Sequence, residues 1–322
     1  MWLVCAALVP GTLAMSVFYG PGILWNVLIL ALGCAAFEWL CNLGQAGGHA
    51  TNQASSWHSL KNGSAVLTGW LMALCCPPWL DLYTAAIAAS AAIVLAKWMY
   101  GGLGRNLFNP AMVGYAVVLI SVPTQLDHWP ALQPATAVDG YSGATLLSEF
   151  RYRGGQTVAE FEKAYAVSMT HLEYITFAFA VGGIWLMYLR LAAWRVAVAT
   201  CLGLALAALI GYDQGSSDSA GGWWMHLTAG GTAVLVFFVV TDPVTHPRSL
   251  QHQWLFGIVV GVMAYMIRTW GSYPDGLAFA VLLANCITPL LNRITLKAHA
   301  TQIAESTDAA AAKTVPPTGG AQ

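Results

Sequence analysis

The stretch Ile23-Leu-Trp-Asn-Val-Leu-Ile-Leu-Ala-Leu-Gly-Cys-Ala-Ala-Phe-Glu-Trp-Leu-Cys-Asn42 carries one charge, Glu38. It has the length of roughly 20 residues that an α-helix needs to cross a bilayer. The turn Tyr19-Gly20-Pro21-Gly22 separates it from an apolar run at 2–19, and further runs follow at 63–76, 82–100, 111–122, 169–189, 194–212, 223–240, 254–270 and 276–291. With 57% hydrophobic and 8% charged residues, the chain has too little polar surface to cover a soluble globule. The pattern predicts an all-α polytopic membrane protein of about ten transmembrane helices, five on each side of a long polar loop.

The division that follows is a first membrane half at 1–123, an outer loop at 124–168, a second membrane half at 169–293 and a disordered cytoplasmic tail at 294–322. No basic segment precedes the first run and no cleavage site follows it, so it reads as a retained span rather than a signal peptide. Net charge is −1, which offers no global field for nucleic acid, and the expected surroundings are membrane lipid. The seven cysteines show no Cys-x-x-Cys spacing and read as small packing residues. His49 and His58, in a polar connector at 44–62, lack a third partner at metal-ligand spacing, so no metal site is expected. Glu38, near the end of its span, reads as a snorkelling or paired carboxylate.

Nine of the 13 basic residues fall on the cytoplasmic side if the N-terminus is cytoplasmic, leaving Arg151, Arg153, Lys163 and Arg268 outside. The positive-inside rule favours that orientation and puts the 124–168 loop on the outer face. Residues on either side of the loop also echo one another. Gly63-Ser64-Ala65-Val66-Leu67 matches Gly231-Thr232-Ala233-Val234-Leu235, and Lys97-Trp98 with Pro110 matches Arg268-Thr269-Trp270 with Pro274. Five spans per half is an odd number, so a true duplication would give inverted repeats, an arrangement that sets binding sites at broken helices near the repeat interface. The short fifth run, bounded by Pro110 and Pro123, is such a break. The glycines of Gly101-Gly102-Leu103-Gly104-Arg105 follow no strand, which excludes a Rossmann or phosphate loop.

Inside the outer loop lies Val138-Asp139-Gly140-Tyr141-Ser142-Gly143-Ala144-Thr145-Leu146-Leu147. By itself it reads as a pair of turns followed by a threonine. It also resembles the acceptor sequence of proteins that carry FMN on a threonine phosphoester. Small residues at 143 and 144 would let an extended, accessible peptide enter a modifying enzyme.

Four motifs together resemble one family: 101–115 (Gly-Gly-Leu-Gly-Arg-Asn-Leu-Phe-Asn-Pro-Ala-Met-Val-Gly-Tyr), 139–145, Thr241-Asp242-Pro243-Val244, and 273–285 (Tyr-Pro-Asp-Gly-Leu-Ala-Phe-Ala-Val-Leu-Leu-Ala-Asn). They are similar, in the same order, to the RnfD membrane protein of the Rnf-type ion-translocating electron transport complex, with the NqrB membrane protein of the sodium-translocating NADH:quinone reductase a more distant relative. The resemblance implies a flavoprotein of the bacterial inner membrane, one component of a translocase with no catalytic residues of its own. FMN would sit on Thr145, attached by a flavin transferase that reads Asp139, Ser142, Gly143 and Ala144. A second, non-covalent riboflavin would accompany it, with Asn106 and Asn109 as its candidate site, although an asparagine beside a broken helix also serves as a cap. Partners would be other subunits of the complex, among them a flavoprotein facing the periplasm that donates electrons on the loop side. The family also implies a cytoplasmic segment before the first span, which this sequence does not show. Asp242 and Asp275, at breaks on opposite sides of the bundle, are candidates for an ion pathway. A secondary transporter is the competing reading, built on Asn109, Asp242, Asp275 and Asn285 as intramembrane polar groups; it leaves Thr145 without a role.

Overall fold

The computed structural model describes residues 1–45, 61–130, 132, 142–143, 145–273 and 275–314. The protein is predominantly helical, and each of the apolar runs carries a helix. Before the loop come α1 (Trp2–Tyr19), α2 (Gly22–Gln45), α3 (Ser64–Ala73), α4 (Leu82–Ser90, continued by a π-helix at Ala91–Trp98) and α5 (Pro110–Ser121). The loop itself holds α6 (Leu146–Arg151) and α7 (Val158–Ala164). After it come α8 (Ala166–Tyr188), α9 (Trp194–Ile210), α10 (Trp223–Thr228), α11 (Thr232–Val234, continued by a π-turn at Leu235–Val239), α12 (Leu250–Trp270) and α13 (Leu277–Thr314). Four stretches are long and apolar enough to cross a membrane unbroken: Trp2–Tyr19, Gly22–Leu43, Leu250–Trp270 and Leu277–Thr295.

α2 packs on α3 and α4, and α9 on α12, while α1 against α8 and α5 against α13 join the segments before and after the loop. The α1–α8 approach is close because Gly182 leaves room for the backbone of Ala7, which any Cβ at that position would strike. Polar groups inside the bundle are satisfied by fixing turns. Asn26, fully buried in α2, donates to the Pro77 carbonyl (2.7 Å) and accepts from the Leu80 amide (2.9 Å), which pins the Cys76-Pro77-Pro78 turn.

The outer segment is more ordered than an extended polar loop. Thr145 caps α6, and Thr157 with Glu160 forms a reciprocal capping box on α7. Leu147, Phe150, Val158 and Phe161 of these helices close over Leu172, Met225 and Ala229 in a small core separate from the main one. A two-residue antiparallel ribbon, Trp129–Pro130 with Ser142–Gly143, ties the ends of the intervening stretch together. At the other end of the chain, α13 continues to Thr314, past residue 294, where the sequence predicts disorder. The alanine-rich segment at 304–313 has the highest intrinsic helix propensity, which is enough to extend a helix that packing has already nucleated.

Candidate functional site

Two cavities open at opposite ends of α1. Met15 and Tyr19 line one and Val4 the other, about 16 Å apart along the helix at 1.5 Å per residue.

The first cavity is a narrow slit with Tyr19, Cys75, Tyr115, Trp129, Thr145 and Asp275 on its walls. Thr145 is half-buried, and its Oγ1 accepts from the Ser148 amide (3.3 Å) and donates to Ser148 Oγ (3.1 Å). It is therefore a helix cap on a cavity wall rather than a fully exposed loop residue, which corrects the reading of a freely accessible peptide. The cause is the apolar pair Leu147 and Phe150, which pulls the following helix into the small core. Ser142 and Gly143 belong to the ribbon. Asp139 and Ala144 lie outside the described residues.

Asp275 is fixed at the mouth of this slit. Its Oδ1 accepts from Arg268 Nη2 (3.1 Å) and its Oδ2 from the Gly231 amide (3.0 Å). The helical run broken between α10 and α11 makes this possible. Gly230 takes φ +64°, a conformation favouring glycine, and a Cβ there would come within 2.7 Å of Asp275 Oδ2. The break orphans the carbonyls at the end of α10, and Arg268 recovers them. Its Nη1 donates to His226 O (2.7 Å) and its Nη2 to Ala229 O (3.2 Å) and Thr232 Oγ1 (2.7 Å).

The second cavity, about 320 Å³, is lined by Ser64, Lys97, Asn106, Asn109, Thr241 and Asp242. Asn109 is both a cap and a wall residue. Its Oδ1 accepts from the amides of Ala111 (3.1 Å) and Met112 (3.3 Å) at the start of α5, with Pro110 in the first turn where its missing N–H costs nothing. Asn106 Nδ2 donates to Phe108 O (3.0 Å). Asp242, in the turn after the π-turn, accepts from the Val244 amide (3.2 Å). Burial pushes its carboxyl above the usual carboxylate range, with the Val244 amide, His246 and Thr245 pulling the other way. At the back of the cavity Lys97 Nζ donates to both oxygens of Glu38 (2.8 Å each) and to Ser64 Oγ (2.7 Å), all of it buried.

The structure thus brings Asn106, Asn109 and Asp242 together and sets Asp275 with Thr145, so the two acids read as one ion pathway lie at different cavities. Asn285 stands apart from both, fully buried in α13 with neither amide atom hydrogen-bonded. Glu38 is the paired carboxylate of the two options its position allowed. The sequence marks its partner Lys97 only as half of a repeat match, and Arg268 as the other half. Ser64 and Thr232, their hydroxyl partners, lie in the matched pentapeptides, which is the signal the sequence holds for them. Among the described residues no group of three metal-ligating side chains occurs.

Residues 1–301 match the family model described as the NQR2, RnfD, RnfE family. Curated relatives named as the D subunit of an ion-translocating oxidoreductase complex include one from Cellvibrio japonicus, 36% identical over 92% of this chain and 88% of the relative. The protein of that name from Ectopseudomonas mendocina is 38% identical over 92% of this chain and 89% of the relative. The one from Vibrio cholerae serotype O1 is 33% identical over 91% and 92%. Matched along nearly its whole length, this chain belongs to the NQR2, RnfD, RnfE family.

Proposed function

We propose that this chain is the membrane subunit of an Rnf-type ion-translocating oxidoreductase complex of the bacterial inner membrane, relaying electrons through FMN held covalently on Thr145. The observation that carries the reading is the Thr145 hydroxyl on the wall of an aromatic slit, within the one motif of the chain that a flavin transferase would recognise. The residues suit the group. Thr145 Oγ1 can give up its proton and still accept from the Ser148 amide, and Tyr19, Trp129 and Tyr115 offer flat faces to a tricyclic ring. When bound, FMN supplies one-electron chemistry that the side chains lack. The chain's own part is to fix the attachment point through α6, to limit water through the small core above it, and to hold Asp275 neutralised by Arg268 at the slit's mouth.

The second cavity suits a non-covalent riboflavin, with Asn106 and Asn109 on one wall and Asp242 opposite. The outer segment faces the periplasm in this reading, where a partner flavoprotein subunit meets it. The matched pentapeptides then belong to inverted repeats of five helices each, with Lys97–Ser64 and Arg268–Thr232 as equivalent contacts.

Mass spectrometry of the peptide 140–151 from protein co-expressed with a flavin transferase tests the assignment. The parent peptide should carry an FMN-sized increment, and Thr145→Val should carry none while still inserting. Because Thr145 is a cap, the valine variant should also lose about 1 kcal/mol of local helix stability. An unmodified parent peptide would end the covalent reading and favour a transporter.

A further inference from the structure

A third cavity, about 200 Å³, lies between α6, the 217–220 turn and the ends of α10 and α12, and Arg151, Arg153, Asp218, His226 and Arg268 line it. It is separate from the Thr145 slit, because Arg268 stands between them with its Nη atoms turned to Asp275 and its own helix break. Two side chains on its wall are 4% and 3% exposed and each has one unpartnered nitrogen, Nε of Arg268 and Nδ1 of His226. These two want opposite things. Arg268 Nε–H can only donate. His226 Nε2 lies 2.9 Å from the Ala220 carbonyl, which can only accept, so the proton sits on Nε2 and leaves Nδ1 of the neutral ring as an acceptor.

Charge runs the same way. Arg151 directs Nη1 to the Gly271 carbonyl, and Arg153 directs its nitrogens to the carbonyls of Phe150, Gln156, Ser217 and Ser219. Neither is in an ion pair among the described residues, so two guanidinium charges remain for a ligand, with Asp218 as the one carboxylate on the wall. The depth of the cavity identifies the surroundings. Trp223, Trp224 and Trp270, 44%, 39% and 69% exposed, flank it, and exposed indoles of this kind mark the level of lipid headgroups.

We propose that this cavity binds the phosphoethanolamine headgroup of a phospholipid. The phosphate would lie toward Arg151, Arg153 and Arg268 Nε, and the ammonium would donate to His226 Nδ1 and Asp218. A choline headgroup, with the same phosphate but no N–H, satisfies only the first half.

The test is native mass spectrometry of the purified complex after exchange into nanodiscs of phosphatidylethanolamine or phosphatidylcholine. The parent should retain phosphatidylethanolamine about tenfold better than phosphatidylcholine. Arg151→Gln should weaken retention of both lipids, and Asp218→Asn, in an exposed turn and safe for folding, should abolish the preference while leaving retention. Equal retention of the two lipids by the parent, or retention unchanged in Arg151→Gln, overturns the proposal. A second arm adds inorganic phosphate to delipidated complex. Saturable thermal stabilisation of the parent and not of Arg151→Gln, without lipid retention, would overturn the lipid assignment and give the phosphate subsite to soluble phosphate.

Discussion

Lys97 and Arg268 occupy matching places in the sequence, each at the end of a helix and each donating to the hydroxyl of a matched pentapeptide, Ser64 or Thr232. What surrounds them differs. Lys97 is a point charge whose three donors all end on side chains, two on Glu38 and one on Ser64, which closes a compact ion pair linking α2, α3 and α4. Arg268 spreads a planar fork over two backbone carbonyls, a hydroxyl and a carboxylate, and keeps Nε for another cavity. The lysine therefore locks intact helices together, whereas the arginine holds open a helix that Gly230 has broken. One position in two similar segments can serve as a clamp or as a splint, according to whether the neighbouring helix ends in side-chain acceptors or in orphaned carbonyls.

Breaking the clamp should have the largest effect. Lys97→Met leaves Glu38, 6% exposed, without its counter-charge, and losing one partner of a buried pair costs about 3–5 kcal/mol. Thermal unfolding of detergent-solubilised protein should register that loss, and Lys97→Met combined with Glu38→Gln should recover most of it. A single variant as stable as the parent would show that Glu38 is not held by Lys97, and the comparison would collapse.

The splint should tolerate more. Asp275→Asn removes the carboxylate that Arg268 holds, but that side chain is 26% exposed and the guanidinium keeps its three other acceptors. The expected cost is about 1–2 kcal/mol, in the range of a single charged hydrogen bond. The variant should also alter the absorbance of any flavin retained on Thr145, because the slit loses its charge. A destabilisation as large as that of Lys97→Met would mean that Asp275, and not the carbonyl set, supports the break.

How far these clusters are legible follows from distance along the chain. The apolar runs and the prolines bounding α5 point to the helices, because hydrophobic span length is a local property. The pentapeptide match locates Ser64 and Thr232 as counterparts, but not what they touch, since Glu38 and Lys97 are 59 residues apart and no periodicity links them. His226, between apolar neighbours in one run, has no sequence signal at all. The π-helix at Ala91–Trp98 is likewise invisible, for its residues would suit an ordinary helix equally well. The helices of the outer segment are foreshadowed by Thr157-Val-Ala-Glu160, a capping-box pattern that the density of charges around it obscures.

Asp242 gives the smallest effect and the finest distinction. Asp275 has a cation at 3.1 Å, whereas Asp242 makes no ion pair among the described residues, and burial pushes its carboxyl above the ordinary range. For an acid whose folded pKa exceeds its unfolded value, the folded state binds the proton more tightly. Stability from that source is complete below the unfolded value, about 4, and is lost as pH rises through the folded one. Asp242→Asn keeps an oxygen to accept from the Val244 amide and removes the ionisation. Its melting temperature should therefore match that of the parent near pH 4 and exceed it by a few degrees at pH 8, a difference of about 1 kcal/mol or less. Asp275→Asn, by contrast, should melt below the parent at pH 8. Parallel curves for Asp242→Asn and the parent across this range would mean that the carboxylate is as well solvated in the second cavity as in water, and that the two acids differ in position only.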